Sequence, residues 1–121
     1  MTTRRLFVGA LAGACVPQRP LVLEAIAAER MPQTLIVHGV APSAFFELRD
    51  YGASVPRVVR VLERCGIHAV SKDRDKLLFG FSTLEERETA WRLAASNEDW
   101  VAVRDSVVLK ELAVYAPVSP H

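Results

Sequence analysis

Residues 45–66, FFELRDYGASVPRVVRVLERCG, contain the pattern that decides the fold. The side chains from Phe45 to Tyr51 alternate between two faces, which is typical of a half-buried strand, and Gly52 ends it. After Ser54, which is a plausible N-cap, apolar residues recur every three or four positions until Gly66 closes the segment. The stretch therefore predicts a strand followed by one short amphipathic helix.

The same kind of pattern continues to the end of the chain. Ile67–Ser71 and Leu77–Phe81 are two strand candidates joined by a short charged connector that suits a hairpin. Thr83–Glu86 is a capping box that starts a second helix, Asn97 can cap a further turn, and Leu109–Tyr115 is the last strand. The order β-α-β-β-α-β predicts an α+β fold of the ferredoxin-like type, in which both helices cover one face of a four-stranded antiparallel sheet.

The predicted domain, residues 45–118, leaves the other face of its sheet without cover. An apolar sheet face that nothing covers in a small domain favours a partner. We therefore expect a homodimer in which two sheets pack face to face.

The first residues have the features of a targeting segment. Residues 1–15 contain two arginines, no acid, a short apolar run and small residues at the end, which indicates an export signal of the twin-arginine kind and a periplasmic protein. Ala12-Gly13-Ala14 fits a cleavage site, and Cys15 directly after it allows a lipid anchor. The alternative is an uncleaved N-terminus on a cytoplasmic protein.

Residues 16–44 are interpreted as a linker with short elements. Four prolines interrupt this span. Within it, Leu21–Arg30 has a helical apolar spacing, whereas Gln33–His38 is a short β-branched run that predicts a strand or an extended piece.

Composition excludes several classes of function. The 121 residues carry 15 lysines and arginines against 14 acids, so the net charge of +1 provides no basic field for a nucleic acid. The longest uncharged apolar run, Leu6–Val16, is shorter than the roughly 20 residues that span a bilayer. No histidine or cysteine lies at a metal-ligand spacing, so we expect no transmembrane span, no metal and no cofactor.

One polar group stands out as a candidate catalytic site. Strand parity places Glu47, Arg49 and Tyr51 on one sheet face, which we assign to the side opposite the helices, where His68 can join them. Such a set is sufficient in principle for proton transfer. Glu111 and Tyr115 are further candidates on the same face. The simpler interpretation is that Glu47 and Arg49 form an ion pair that fixes strand or dimer geometry.

The remaining reactive or aromatic side chains have structural interpretations. Trp91 and Trp100 lie at helical spacing with apolar neighbours, so we expect them to anchor helices to the sheet. Arg87 falls on the same predicted inner face of the second helix as Trp91. Cys65 is most simply a small apolar residue.

Four segments resemble the NIPSNAP family. The first two are Phe46–Tyr51, FELRDY, which is similar to the family's opening strand, and Arg64–Ile67, RCGI, which is similar to the start of its second strand. The more specific two are Ser82–Trp91, STLEERETAW, and Asn97–Trp100, NEDW. The first helix is shorter than in the family, and the Gly-Phe-Trp that commonly follows its second strand is absent. The resemblance covers about residues 45–118 and implies a dimeric α+β barrel with no firmly assigned reaction.

These expectations combine into two hypotheses for function. The first is a homodimeric module of the NIPSNAP type that binds a protein or a small apolar or aromatic ligand without catalysing a defined reaction. The alternative is a small enzyme of monooxygenase or isomerase type that uses His68, Arg49 and Tyr51 in the barrel interior.

Overall fold

The computed structural model describes residues 4–7, 20–28 and 34–118, and for residues 4–7 and 28 it describes the backbone alone. The strands are β1 Arg4–Phe7, β2 Leu21–Ala28, β3 Thr34–Val37, β4 Phe45–Asp50, β5 Ala69–Asp73, β6 Lys76–Phe81 and β7 Glu111–Pro117. The helices are α1 Val55–Arg64, α2 Leu84–Ala95 and α3 Glu98–Ser106. The predicted α+β class is confirmed.

The strands of the described residues form one sheet in the order β1-β3-β2-β7-β4-β6-β5. Neighbouring strands from β2 to β7 are antiparallel, and β1 is added parallel to β3 at one edge. The backbone of β1 approaches β5, the strand at the opposite edge, so the sheet is strongly curled. A curled sheet has an inner and an outer face, and the two faces hold different cores.

Helix α1 ends in a turn that determines where the next residues lie. Gly66 has φ +84°, in the left-handed region that glycine adopts without strain. The N–H of Gly66 donates to the carbonyl of Glu63 at 3.1 Å, and the N–H of Ile67 donates to that of Leu62 at 2.9 Å, which is a Schellman turn. This turn places Ile67 in the core and His68 at the surface.

The starts of the second and third helices follow the predicted caps. Thr83 Oγ1 accepts from the Glu86 N–H at 2.9 Å, and Asn97 Oδ1 accepts from the Trp100 N–H at 3.1 Å. The Glu86 carboxylate accepts from the N–H of Ser82, one residue before the expected cap position, at 2.7 Å. Asn97 begins a full helix of nine residues rather than a single turn. Ser54 stands at the start of α1, but its side chain makes no capping hydrogen bond.

Two apolar cores lie on the two faces of the sheet. The helix-side core contains the buried residues Tyr51, Val55, Val58, Val61, Leu62, Ile67, Leu77, Phe79, Phe81, Ala94, Trp100 and Val103. The inner core, on the concave face, contains Leu23, Leu35, Val37, Phe46, Leu48, Leu78, Ala113 and Tyr115. Alternation along β4 and β6 supplies both cores from the same strands.

The inner core overturns the expectation that one sheet face lacks cover from this chain. Leu23 of β2 and both Leu35 and Val37 of β3 have no exposed surface, and they pack against Phe46 and Leu48 of β4. Segment 16–44, interpreted as a linker, thus contributes two strands to the sheet and part of its core. The argument for a homodimer from an open sheet face is therefore wrong.

The predicted helix at Leu21–Arg30 is also wrong, because residues 21–28 form strand β2. Leu21, Leu23 and Ala25 all pack on the inner core, which is the two-residue period of a strand. Pairing with β3 on one side and β7 on the other overrides the weak helical spacing of this alanine-rich segment. The strand predicted at Gln33–His38 is confirmed as β3.

The predicted cleavage site Ala12-Gly13-Ala14 and the lipid-anchor candidate Cys15 lie outside the described residues. Of the predicted export signal, only the backbone of β1 is described. Within the described ranges, no helix has the length and apolar character needed to cross a membrane.

Candidate functional site

The side chain of Glu47 lies between the sheet and α2 and has no exposed surface. Its Oε1 accepts from Trp91 Nε1 at 2.6 Å and from Arg87 Nε at 2.9 Å. Its Oε2 accepts from Arg49 Nε at 2.8 Å and from an Arg87 Nη at 3.2 Å. Four donors from three side chains therefore surround this buried carboxylate.

Arg49 is fixed on every side by its neighbours. Besides its bond to Glu47, its Nη1 donates to the Tyr51 hydroxyl at 2.8 Å. Its Cζ lies 3.7 Å from the centroid of the Trp91 ring, which is a cation–π contact. Tyr51 in turn packs edge-on against Trp100, with ring centroids 6.2 Å apart. Burial raises the pKa of Tyr51 above its ordinary value, the guanidinium of Arg49 opposes that rise, and the Glu47 carboxylate adds to it.

We call Glu47, Arg49, Tyr51, Arg87 and Trp91 the Glu47 cluster. An ionised carboxylate has about four acceptor positions, and the four donors occupy those of Glu47. Because this carboxylate is fully buried and its acceptor positions are filled, it is poorly placed to take a proton from a ligand. The geometry favours a structural role, in which Glu47 joins α2 to strand β4.

The predicted site is placed only in part as expected. Glu47, Arg49 and Tyr51 do share a face, as strand parity predicts, but that face is under α2 and not opposite the helices. Alternation along a strand shows which side chains share a face of the sheet, but it does not show which face the helices cover. The concave face takes the uncharged Phe46 and Leu48, whereas Glu47 and Arg49 contact side chains of α2.

Tyr115 lies apart from the Glu47 cluster. It belongs to the inner core, on the other side of the sheet. Burial, and after it the charge of Glu111, raises the pKa of Tyr115 to about 12. Neither Tyr115 nor Glu111 joins Glu47, Arg49 and Tyr51, so the larger constellation expected from the sequence is wrong.

His68 is separate as well, and it lies at a groove. The groove has a volume of about 340 Å³ and is lined by Gly66, Ile67, His68, Phe79, Gly80, Phe81, Glu86 and Ala90. None of the other three predicted catalytic residues lines it. We call it the His68 groove.

The walls of the His68 groove come from three parts of the fold. The turn after α1 supplies His68, whose side chain is exposed and makes no hydrogen bond to the described residues. Strand β6 supplies an apolar base, with Phe79 and Phe81 almost fully buried, and the first turns of α2 supply Glu86 and Ala90. An imidazole and a carboxylate therefore border a depression that has an apolar base and a mixed polar and apolar lining.

Phe79 connects the groove to the Glu47 cluster. The Phe79 ring meets Trp91 edge-on, with centroids 5.4 Å apart and an interplanar angle of 84°. Trp91 in turn donates to Glu47. A molecule in the groove would therefore lie one aromatic ring away from the indole of Trp91.

A third polar group lies at one end of the sheet. Lys76 Nζ lies 3.0 Å from Asp50 Oδ2 and 3.9 Å from Glu111 Oε1, and the Gly52 N–H donates to Asp50 Oδ1 at 2.9 Å. Burial acts to raise the pKa of Asp50, but the bonds from Gly52 and Lys76 and the nearby charge of Lys110 outweigh it and leave that pKa lowered. This group stabilises the end of the sheet.

Among the described side chains, no three of the histidines, cysteines, aspartates and glutamates lie close enough together to hold a metal ion. Cys65 is free and packs half-buried against the helix-side core, and burial, with the charge of Asp99, raises the pKa of its thiol. A raised thiol pKa makes a nucleophilic role at neutral pH unfavourable.

Sequence reasoning did not identify the partners of Glu47. The sequence pattern predicts Arg87 and Trp91 on the inner face of α2, four residues apart, but does not name the acid that they meet. An arginine on an inward helix face needs a buried acid, and Glu47 is the acid that shares a strand face with another arginine. Glu86 was identified as a helix cap but not as a wall of the groove.

No family model, curated protein or solved structure matches this chain.

Proposed function

We propose that this protein is a small-ligand-binding module that catalyses no reaction of its own, and that its site is the His68 groove. The ligand has a small apolar or aromatic body. The observation that carries this proposal is the placement of an exposed imidazole at the rim of a depression based on two core aromatic rings, Phe79 and Phe81.

The size and chemistry of the groove support binding. Ligand sites typically measure about 300–1,000 Å³ and combine an apolar lining with a few polar groups that orient the ligand. The groove's 340 Å³ falls at the lower end of that range. Its base is apolar, and His68 and Glu86 are its two ionisable groups. This composition suits a molecule of about ten non-hydrogen atoms rather than a large cofactor.

The alternative of an enzyme that works in the barrel interior has less support. His68 lies at the groove, Arg49 lies against Trp91 of α2, and Tyr51 lies against Trp100 of α3. The concave face is filled by apolar side chains and Tyr115. A proton-transfer site needs its groups within hydrogen-bond reach of one substrate. These three residues do not share a cavity among the described residues, which favours binding over catalysis.

We propose further that residues 45–118 form a ferredoxin-like unit related to the NIPSNAP family. The order β7-β4-β6-β5 supports the ferredoxin-like unit, because the unit's last strand lies beside its first, and its third strand lies between the first and the second. The relation to the family rests on the resemblance of the four sequence segments alone. Strands β1 to β3 then extend that unit at its β7 edge. A homodimer is no longer needed to cover the sheet, so the ligand proposal concerns a single chain.

A titration with benzyl alcohol tests the ligand proposal. For a probe of about eight non-hydrogen atoms in an open groove we expect a Kd on the order of 1 mM. The backbone amide signals of Gly66, His68 and Gly80 should shift with a common saturation curve in two-dimensional NMR spectra.

Substitution of Ala90 provides the control for that titration. Ala90→Leu fills the groove and should weaken binding at least about fivefold, since a leucine side chain occupies the space of the probe. Ala95→Leu adds the same side chain at an exposed position of the same helix and should leave binding unchanged. Unshifted groove amides at saturating probe, or equal binding by the two variants, would contradict the proposed function.

A further inference from the structure

We propose that the His68 groove selects an organic cation, a protonated amine on a small aromatic or apolar body, with the Glu86 carboxylate as its counter-ion. This inference rests on the proposed function and specifies its ligand class. It is carried by the charge of the groove lining and by the geometry of Glu86.

The lining of the groove contains one carboxylate, one imidazole and no lysine or arginine. Arg87, the basic neighbour of Glu86 on α2, is directed to Glu47 by two hydrogen bonds. The cationic group nearest in sequence is therefore already paired with a buried acid. Glu86 has no ion-pair partner among the described residues and is exposed at the groove, where a cationic ligand can approach it.

One oxygen of the Glu86 carboxylate is hydrogen-bonded, and the other remains open to a ligand. Its Oε1 accepts from the Ser82 N–H at 2.7 Å, which fixes the carboxylate at the start of α2. In the described part of the chain, Oε2 has no hydrogen-bond partner. One oxygen thus positions the group, and the other remains available to a ligand, which is a preorganised acceptor for an ammonium group.

The two helix ends at the groove leave its charge balance negative. The C-terminal end of α1, next to Gly66, carries about half a negative charge, and the N-terminal end of α2 carries about half a positive charge. These two contributions have opposite signs, and Glu86 is the one carboxylate in the groove lining. Phe79 and Phe81 line the same groove as Glu86 and provide apolar surface for the body of such a ligand.

Three probes of nearly equal size separate the cation inference from the proposed function. Benzylamine is cationic at neutral pH, benzyl alcohol is neutral and benzoate is anionic. At low salt we expect benzylamine to bind about threefold to fivefold more tightly than benzyl alcohol, as an exposed ion pair gives. Benzoate should bind most weakly, and about 1 M salt should remove the preference for the amine.

Glu86→Gln removes the charge and keeps the cap, because glutamine also serves in a capping box. It should abolish the preference for benzylamine and leave the affinity for benzyl alcohol unchanged. Glu85→Gln, in the same helical turn but outside the groove lining, is the matched control and should keep the preference. Thermal unfolding should show that both variants fold.

The outcomes distinguish the two claims. Equal binding of benzylamine and benzyl alcohol, tighter binding of benzoate, or a preference that survives in Glu86→Gln would overturn the cation inference while the proposed function stands. If none of the three probes shifts the groove amides, both claims fail.

Discussion

The indole Nε1 of Trp91 donates a 2.6 Å hydrogen bond to Oε1 of Glu47, and this bond joins α2 to β4, an interior strand of the sheet. The same indole ring lies against the Arg49 guanidinium and against Phe79. Trp91 therefore links the buried charges to the base of the groove. The stability of the helix-side core and the shape of the groove both depend on this contact.

Glu47→Gln should destabilise the fold by about 2–4 kcal/mol, because breaking a buried ion pair leaves its partners uncompensated. The glutamine amide would also present N–H groups to donors that now meet a carboxylate. The side chains of Arg49 and Arg87 are 13% and 23% exposed, so water offsets part of the loss. Urea unfolding measures the effect, with the exposed Glu88→Gln as control. A loss below about 0.5 kcal/mol would contradict the structural role of Glu47.

Acid should weaken the fold through Asp50. Its pKa is lowered from the ordinary value of 3.8, so the folded state holds the proton less tightly than the unfolded chain. The associated stability is present above that value and is lost as the pH falls through the lower, folded-state pKa. We measure the unfolding free energy as a function of pH. In Asp50→Asn, its decrease at acidic pH should be smaller than in the parent protein. An equal decrease at acidic pH in this variant would contradict the role of Asp50 in acid stability.

Alkali should weaken the fold through Tyr115. Its pKa is raised to about 12, whereas an unfolded tyrosine ionises near pH 10. Stability is therefore full below about pH 10 and falls as the pH rises towards about 12. Phenolate absorbance, followed together with circular dichroism, should show that Tyr115 ionises only as the chain unfolds. Tyr115→Phe identifies its signal, and ionisation near pH 10 in a native chain would contradict burial in the inner core.

Strands β2 and β3 should behave as part of the folding unit. Leu35→Ala removes a fully buried side chain from the inner core and should cost about 2–5 kcal/mol in unfolding free energy. Ile26→Ala, at a β2 position that is 50% exposed, should cost less than about 0.5 kcal/mol. Equal small losses in the two variants would mean that the N-terminal strands add little to the fold.

The elements after Phe45 could be predicted because their local signals agree with their packing. Alternation gave β4, and capping residues Thr83 and Asn97 began α2 and α3. The helix predicted at Leu21–Arg30 failed, since the strand pairing of β2 depends on β3 and β7, which are distant in sequence. Local periodicity does not contain that information.

The candidate site was predictable only in its parts. Parity put Glu47, Arg49 and Tyr51 together, but which face the helices cover depends on the whole sheet. The groove could not be predicted, because it forms where the turn at His68 meets the first turns of α2. That meeting is a tertiary contact between residues far apart in sequence.

The most direct test of the His68 groove as a cation site is a crystal of the protein soaked with benzylamine. We expect the probe in the groove, with its ring over Phe79 and Phe81 and its nitrogen within hydrogen-bond distance of Glu86. Density for the probe elsewhere, or a groove that contains only water at saturating probe, would contradict the proposed site.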